Sequence, residues 1–122
     1  MKPTLTIVVP LYNSSATLER LIAELSALKV DGGHELVLVN DGSRDNTIEV
    51  CERLMHSATV PITLVKLSRN FGEHHAVMAG LHHASGDFIV TMDDDLQNPP
   101  SEVMKLVNCA REGKHEVVTA HS

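Results

Sequence analysis

Three adjacent carboxylates, Asp93, Asp94 and Asp95, leave the apolar run Phe88 to Met92 and lead into Leu96-Gln97-Asn98-Pro99-Pro100. Neighbouring carboxylates repel one another unless a cation or strong hydrogen-bond donors neutralise them. A divalent metal ion is the simplest remedy. If the backbone stays extended there, the two-residue period puts Asp93, Asp95 and Gln97 on one face and turns Asp94 elsewhere. An all-oxygen set with few protein ligands, leaving positions open for phosphate oxygens and water, suits Mg²⁺ or Mn²⁺. The plainer alternative is a solvated acidic loop that caps the next helix. The place at a strand end, with Gln97 in phase, favours the metal.

A second candidate, Asp41, sits in the turn Asn40-Asp41-Gly42-Ser43. There it can accept hydrogen bonds from a base or ribose, or simply bond the backbone of its own turn. Pro10 and Tyr12 form a rigid exit from the first apolar run. Tyr12 can cover a base or pack on a neighbouring loop. Arg69 is open to two roles, neutralising phosphate or pairing with the acidic edge. The His74-His75 and His82-His83 pairs invite a metal reading, but His75 and His82 lie about 10 Å apart on a helix. Ligands sharing one ion want the i, i+3 or i, i+4 spacing, so these are expected to be exposed helix residues.

These residues are positioned by a repeating pattern. Leu5 to Val9 reads as a strand ending at Pro10, and Ser14-Ser15 as candidate N-caps of a helix carrying Leu18, Leu21, Ile22, Leu25 and Leu28. Glu35 to Val39 is a second strand, followed by a helix from about Asp45 with Ile48, Cys51, Leu54 and Met55 on one face. Ile62 to Leu67 is a third, and Glu73 to Ala84 a helix turning Val77, Gly80, Leu81 and Ala84 inward, with Gly80 permitting close approach to the sheet. Phe88 to Met92 is the fourth strand. Ser101 caps a helix with Val103, Leu106, Val107 and Ala110, and Glu116 to Ala120 is the fifth strand. Strict alternation with short loops predicts a mostly parallel α/β sheet with helices on both faces. The candidate residues then gather beyond the carboxyl ends of the strands, on one edge.

The 122 residues, 43% hydrophobic and 21% charged, make one domain with one core. The formal charge of −6 and an aromatic fraction of 2% argue against a nucleic-acid face or a polybasic membrane patch. Metal ions and small molecules are the expected partners. Cys51 and Cys109 read as buried reduced thiols. With no apolar stretch of about 20 residues and no signal-peptide cleavage site, the expected location is cytoplasmic.

Rival classes fail on the same residues. There is no G-x-x-x-x-G-K-[ST] loop, and no G-x-G-x-x-G after the first strand. A receiver domain needs its acidic pair after the first strand, where Pro10 stands, and a lysine after the fifth, where none remains. A dehalogenase-like phosphatase also needs its D-x-D pair at the first strand. A nucleotidyltransferase should show a basic Gly-rich loop there.

Val9-Pro10-Leu11-Tyr12-Asn13, Val39-Asn40-Asp41-Gly42-Ser43 with Asp45 and Thr47, Ser68-Arg69-Asn70-Phe71-Gly72, and Asp93 to Pro100 occur in this order and spacing. From about Thr6 to Val118 the chain thereby resembles the amino-terminal half of a family 2 inverting glycosyltransferase of GT-A fold, closest to the polyprenyl-phosphate branch. The resemblance implies a Rossmann-like three-layer α/β/α sandwich, with residues 1–122 forming its nucleotide-sugar-binding half. It implies that Pro10, Tyr12, Val39 and Asp41 surround the base and ribose, much of this through backbone groups, that Asn13 also binds the nucleotide, and that Asp93 and Asp94 lie along it. It also implies that Asp95 and Gln97 hold Mg²⁺ or Mn²⁺ on the diphosphate, with Asp93 and Asp95 the catalytic pair.

The implied reaction is transfer of a sugar, with inversion, from a UDP- or GDP-sugar to an acceptor. The acceptor in this branch is a lipid phosphate, whose second pKa of about 6 leaves it largely ionised at neutral pH, so that no general base is required. Three positions depart from the family's usual pattern. Ser14 stands where Glu is usual, Asn40 where a second Asp is common, and Asp94 where a small residue is common. The chain stops just after the fifth strand, where whole members continue through an acceptor-binding half, often followed by membrane helices. Two expectations follow: a fragment of a protein acting at the cytoplasmic face of a membrane, or a nucleotide-sugar-binding module without turnover of its own. An apolar surface left where the missing half packs would favour a homodimer.

Overall fold

Apolar residues at every second position and at helical spacing give the elements expected of them. The computed structural model describes residues 2–94, the helical positions 102, 104, 105, 107 and 108, and the strand 117–120. In chain order the elements are β1 (Leu5–Leu11), α1 (Ser15–Ser26), β2 (His34–Asn40), α2 (Thr47–Met55), β3 (Ile62–Lys66), α3 (Glu73–Leu81), β4 (Phe88–Met92) and β5 (Val117–Ala120). The strands form one five-stranded sheet in the order β3-β2-β1-β4-β5, and every pairing is parallel.

The period of two along each strand splits the core into two layers. Leu5, Ile7, Val9 and Leu11 of β1, with Leu36 and Leu38 of β2 and Val90 and Met92 of β4, face Leu18, Leu21, Ile22 and Leu25 of α1 and Cys51 of α2. Each fully buried leucine contributes about 1.5–3 kcal/mol relative to an exposed one. Val107, in the helical stretch after β4, joins the same cluster. The opposite face is smaller: Val8, Val37 and Val39 pack on Ala76, flanked by Ala79 and Leu81 of α3. A Cβ on Gly80 would lie 2.5 Å from Val8 Cγ1 and 3.0 Å from Val39 Cγ2, so only glycine lets α3 sit this close to the sheet. Helices on both faces make the three layers expected.

Several expectations shift. β1 continues through Pro10 to Leu11, because the β1–β4 pairing ends at Val8↔Thr91. Beyond that pair β1 has one neighbour, and a residue with no N–H is tolerated. α2 begins at Thr47 rather than near Asp45, because the Asp45 carboxylate accepts the Thr47 N–H at 3.0 Å in a side-chain turn. The inward face of α3 is Ala76 and Gly80, while Val77 is only half-buried. This helix also ends at Leu81, where the N–H groups of His83 and Ala84 bond three residues back.

At the edge away from the candidate residues, a buried carboxylate ties β4 to its neighbours. Glu35 Oε2 accepts the Thr6 hydroxyl at 2.6 Å, the Ser85 hydroxyl at 2.7 Å and the Ser85 N–H at 2.8 Å. Thr6 Oγ1 in turn accepts the Gly86 N–H at 2.9 Å. Burial pushes the Glu35 pKa up, but the hydrogen bonds from Thr6 and Ser85 outweigh it and hold the carboxyl below its ordinary value. A carboxylate held lower in the folded state stabilises fully above its unfolded pKa and loses that contribution as pH falls through the folded one. The thermal midpoint should therefore drop on acidification below about pH 4.5, and Glu35→Gln should flatten that part of the profile. An unchanged acid limb in the variant would contradict this role.

Candidate functional site

The chain runs from β1 outward to β2 and β3, then returns to the other side of β1 at β4, so the order reverses between β1 and β4. A crevice opens beyond the carboxyl ends of parallel strands at such a point. Here it is an open cleft of about 380 Å³. Pro10, Leu11 and Tyr12 line it from β1, Asp41 from β2, and Asp93 and Asp94 from β4. Asn70, Gly72 and Glu73 close it from the loop between β3 and α3, where Gly72 is the N-cap of α3 and turns its amino end toward the cleft.

Asp41 is 4% exposed and does more than shape its own turn. Its carboxylate accepts the Phe71 N–H at 2.8 Å and the Gly72 N–H at 3.1 Å, one on each oxygen. Its own N–H donates to the Leu11 carbonyl at 2.8 Å. Asp41 thus joins the exits of β1, β2 and β3. Gly42 beside it has φ +69°, and a Cβ there would lie 2.3 Å from Asn70 N and 2.4 Å from the Arg69 carbonyl carbon. Only glycine allows the two loops to touch here.

A second set of bonds joins β1, β2 and β4. Asn13, at φ +51°, donates its N–H to Ser43 Oγ at 2.9 Å and accepts the Arg44 N–H on Oδ1 at 2.8 Å. Ser14 donates its N–H to Thr47 Oγ1 at 2.9 Å. The Thr47 hydroxyl donates to Asp45 Oδ1, and the Ser15 hydroxyl to Asp45 Oδ2 at 2.8 Å. These bonds, Thr47's foremost, hold the exposed Asp45 carboxyl below its ordinary pKa. The Ser14 hydroxyl accepts the Tyr12 N–H at 3.0 Å and donates to Asp94 Oδ2.

Of the residues read from the sequence, Pro10, Tyr12, Asp41, Asp93 and Asp94 meet at the cleft. Asn13 does not line it and acts as a tie between loops. Val39 is wholly buried between β1 and α3, in the small core with Val8 and Ala76. Asp95 and Gln97 lie outside the described residues, as does Cys109. Asn70 and Glu73 carried no role in the sequence reading; their position just after a strand end is the signal that points to them. Arg69 stacks its guanidinium 4.8 Å over the Phe71 ring at the rim. His74, His75, His82 and His83 are exposed, as expected. Cys51 is a buried free thiol whose pKa burial pushes up to about 11.

Four carboxylates line the cleft: Asp41, Glu73, Asp93 and Asp94. Among the described residues, no group of three His, Cys, Asp or Glu side chains could hold a metal ion. Asp93 offers a hard oxygen donor of the kind Mg²⁺ or Mn²⁺ takes, alongside ligand oxygens.

A parallel sheet with helices on both faces and a cleft at the β1/β4 reversal is the general doubly-wound arrangement, and the solved structures it matches are glycosyltransferases of GT-A fold. One is a mannosyltransferase from Pyrobaculum calidifontis in complex with GDP-Man and Mn²⁺, with TM-score 0.69 and 28% identity over 78% of this chain and 28% of that one. Another is glucosyl-3-phosphoglycerate synthase from Mycobacterium tuberculosis with Mn²⁺, UDP and glucosyl-3-phosphoglycerate, with TM-score 0.67 and 29% identity over 87% of this chain and 39% of that one. TarS of S. aureus in complex with UDP shares the fold, with TM-score 0.72 at 23% identity over 92% of this chain and 32% of that one.

The chain belongs to glycosyl transferase family 2, whose model matches residues 6–122. Its relatives include the undecaprenyl-phosphate 4-deoxy-4-formamido-L-arabinose transferases of Shewanella sediminis, 45% identical over 93% of this chain, and Pseudomonas syringae pv. syringae, 41% identical over 96%. This chain spans 35% of the length of each.

Proposed function

We propose that this chain binds the nucleotide-sugar donor of a metal-dependent glycosyltransferase that moves a sugar, with inversion, from a UDP- or GDP-sugar to a polyprenyl phosphate. The observation that carries this is the cleft at the β1/β4 reversal. It is lined by four carboxylates, yet Gly72 and Glu73 open the amino end of α3, the positive end of a helix dipole, onto it. Asp41 is held by backbone N–H groups and Asp94 by Ser14. A diphosphate entering a cleft with this many acidic groups needs a cation between itself and them. Mg²⁺ or Mn²⁺ on Asp95 and Gln97 would supply that charge and offset the charge developing on the leaving nucleoside diphosphate.

Pro10 and Tyr12 at the exit of β1 and Asp41 at the exit of β2 would take the base and ribose, with Asp93 and Asp94 at the exit of the neighbouring β4. The names of the relatives support an undecaprenyl phosphate acceptor, and the titles of two solved neighbours support a GDP- or UDP-linked donor with Mn²⁺. A lipid phosphate acceptor would bring the reaction to the cytoplasmic face of a membrane, through parts of the protein beyond this chain. Among the described residues no helix is long and apolar enough to cross one.

Calorimetric titration of UDP and then GDP, with and without Mn²⁺, tests the reading. One nucleotide should bind in a metal-dependent manner, and Asp95→Ala should weaken that binding by about 100-fold while leaving the thermal midpoint unchanged. Equal affinity in variant and parent would remove Asp95 from the metal site. No binding of either nucleotide to the folded chain would overturn the donor-site reading.

A further inference from the structure

Ser14 occupies the N-cap position of α1, but its side chain makes no cap hydrogen bond. Serine is favoured at that position because its hydroxyl normally accepts an N–H of the first turn. Here Ser14 is 4% exposed, accepts the Tyr12 N–H at 3.0 Å and donates to Asp94 Oδ2. Asp94 is held a second time, through its backbone: the Thr17 hydroxyl, one turn along α1, donates to the Asp94 carbonyl at 3.3 Å. The first turn of α1 contains no acidic residue of its own. The Asp94 carboxylate supplies the negative charge that the amino end of a helix favours.

We infer that Ser14 is a positioning residue for the donor site: its hydroxyl holds the Asp94 carboxylate against α1 and so keeps that charge off the path of a bound diphosphate. The inference rests on the nucleotide-binding reading above. Asp94 lines the cleft directly after Asp93, where the chain leaves β4, so the tie governs how much negative charge faces the ligand. Without the hydroxyl the carboxylate is released to turn into the cleft, where like charge opposes the phosphates. Tyr12 is coupled to the same point, because its N–H is bonded to the oxygen that holds Asp94.

The test is a double-mutant cycle over the parent, Ser14→Ala, Asp94→Asn and the double variant, reading UDP and GDP affinity in Mn²⁺ together with the thermal midpoint. Ser14→Ala should weaken nucleotide binding by about tenfold in the parent background and by less than about twofold in the Asp94→Asn background, where there is no charge to release. A hydroxyl that served only to end α1 would lower the thermal midpoint equally in both backgrounds and leave affinity unmoved. That result, or an equal loss of affinity in both backgrounds, overturns the inference. A parent that binds neither nucleotide overturns the donor-site reading instead, and the tie is then judged by its thermal cycle alone. Losses of midpoint that fail to add would retain the Ser14–Asp94 tie, and additive losses would reject it.

Discussion

Gly42→Ala should destabilise the protein by about 3 kcal/mol and abolish nucleotide binding. Two costs combine: a side chain in the left-handed region costs roughly 1–2 kcal/mol, and forcing an extra carbon into a filled space costs about 1–3 kcal/mol. At φ +69° the new Cβ would fall 2.3 Å from Asn70 N, 2.4 Å from the Arg69 carbonyl carbon and 2.9 Å from Arg69 Cα. All three are backbone atoms, so no side-chain rotation relieves the contact, and the β3–α3 loop must move away from β2. That loop carries Asn70, Gly72 and Glu73 to the cleft. The site should therefore lose its shape even where the sheet survives. Urea unfolding followed by circular dichroism gives the stability term, and UDP titration the functional one. A variant with parental stability and parental affinity would show that the two loops are not held in contact.

Asp41→Ala should have an effect of similar size by a different route. It removes the acceptor for the N–H groups of Phe71 and Gly72, both part-buried. Hydrogen bonds to a charged group contribute about 1.5–3 kcal/mol each, so the loss should reach about 3 kcal/mol. Asp41→Asn keeps one carbonyl acceptor and should fall between variant and parent in the same unfolding experiment. Nucleotide affinity should follow the same order, because Asp41 lines the cleft as well as fixing its far wall. If Asp41→Ala bound UDP as the parent does, Asp41 would be a turn residue and no more.

The strands and helices were legible because they rest on local periods. Leu18, Leu21, Ile22 and Leu25 are buried where their spacing places them, and β4 spans Phe88–Met92 as read. What escaped depended on partners distant in sequence. Pro10 marks the end of a strand locally, yet β1 runs past it because β4 stops pairing at Thr91. Ser14 has the sequence of a helix cap, but its hydroxyl is drawn to a carboxylate 80 residues away. Two of the three departures from the family pattern, at positions 14 and 94, look independent in the sequence, whereas the structure bonds those residues to each other. Asp41 was legible as a strand-end acid, but its partners lie 30 and 31 residues on. The side chain of Val39 is buried beneath α3 by the close approach at Gly80, which leaves its backbone groups as the part that could meet a nucleotide. The chemistry gathered on one sheet edge was legible from topology alone, since alternating strands and helices send every strand exit to the same side.

The central claim is that the cleft at the β1/β4 reversal is a nucleotide site. An amide-resolved nuclear magnetic resonance titration of UDP, and then GDP, in Mg²⁺ tests it most directly. The account predicts that one nucleotide shifts the amides of residues 11–13, 41–43, 69–73 and 93–94 together, leaving Glu35, Ser85 and the opposite edge of the sheet unmoved. Shifts centred on the opposite edge, or none at all from either nucleotide, would contradict it.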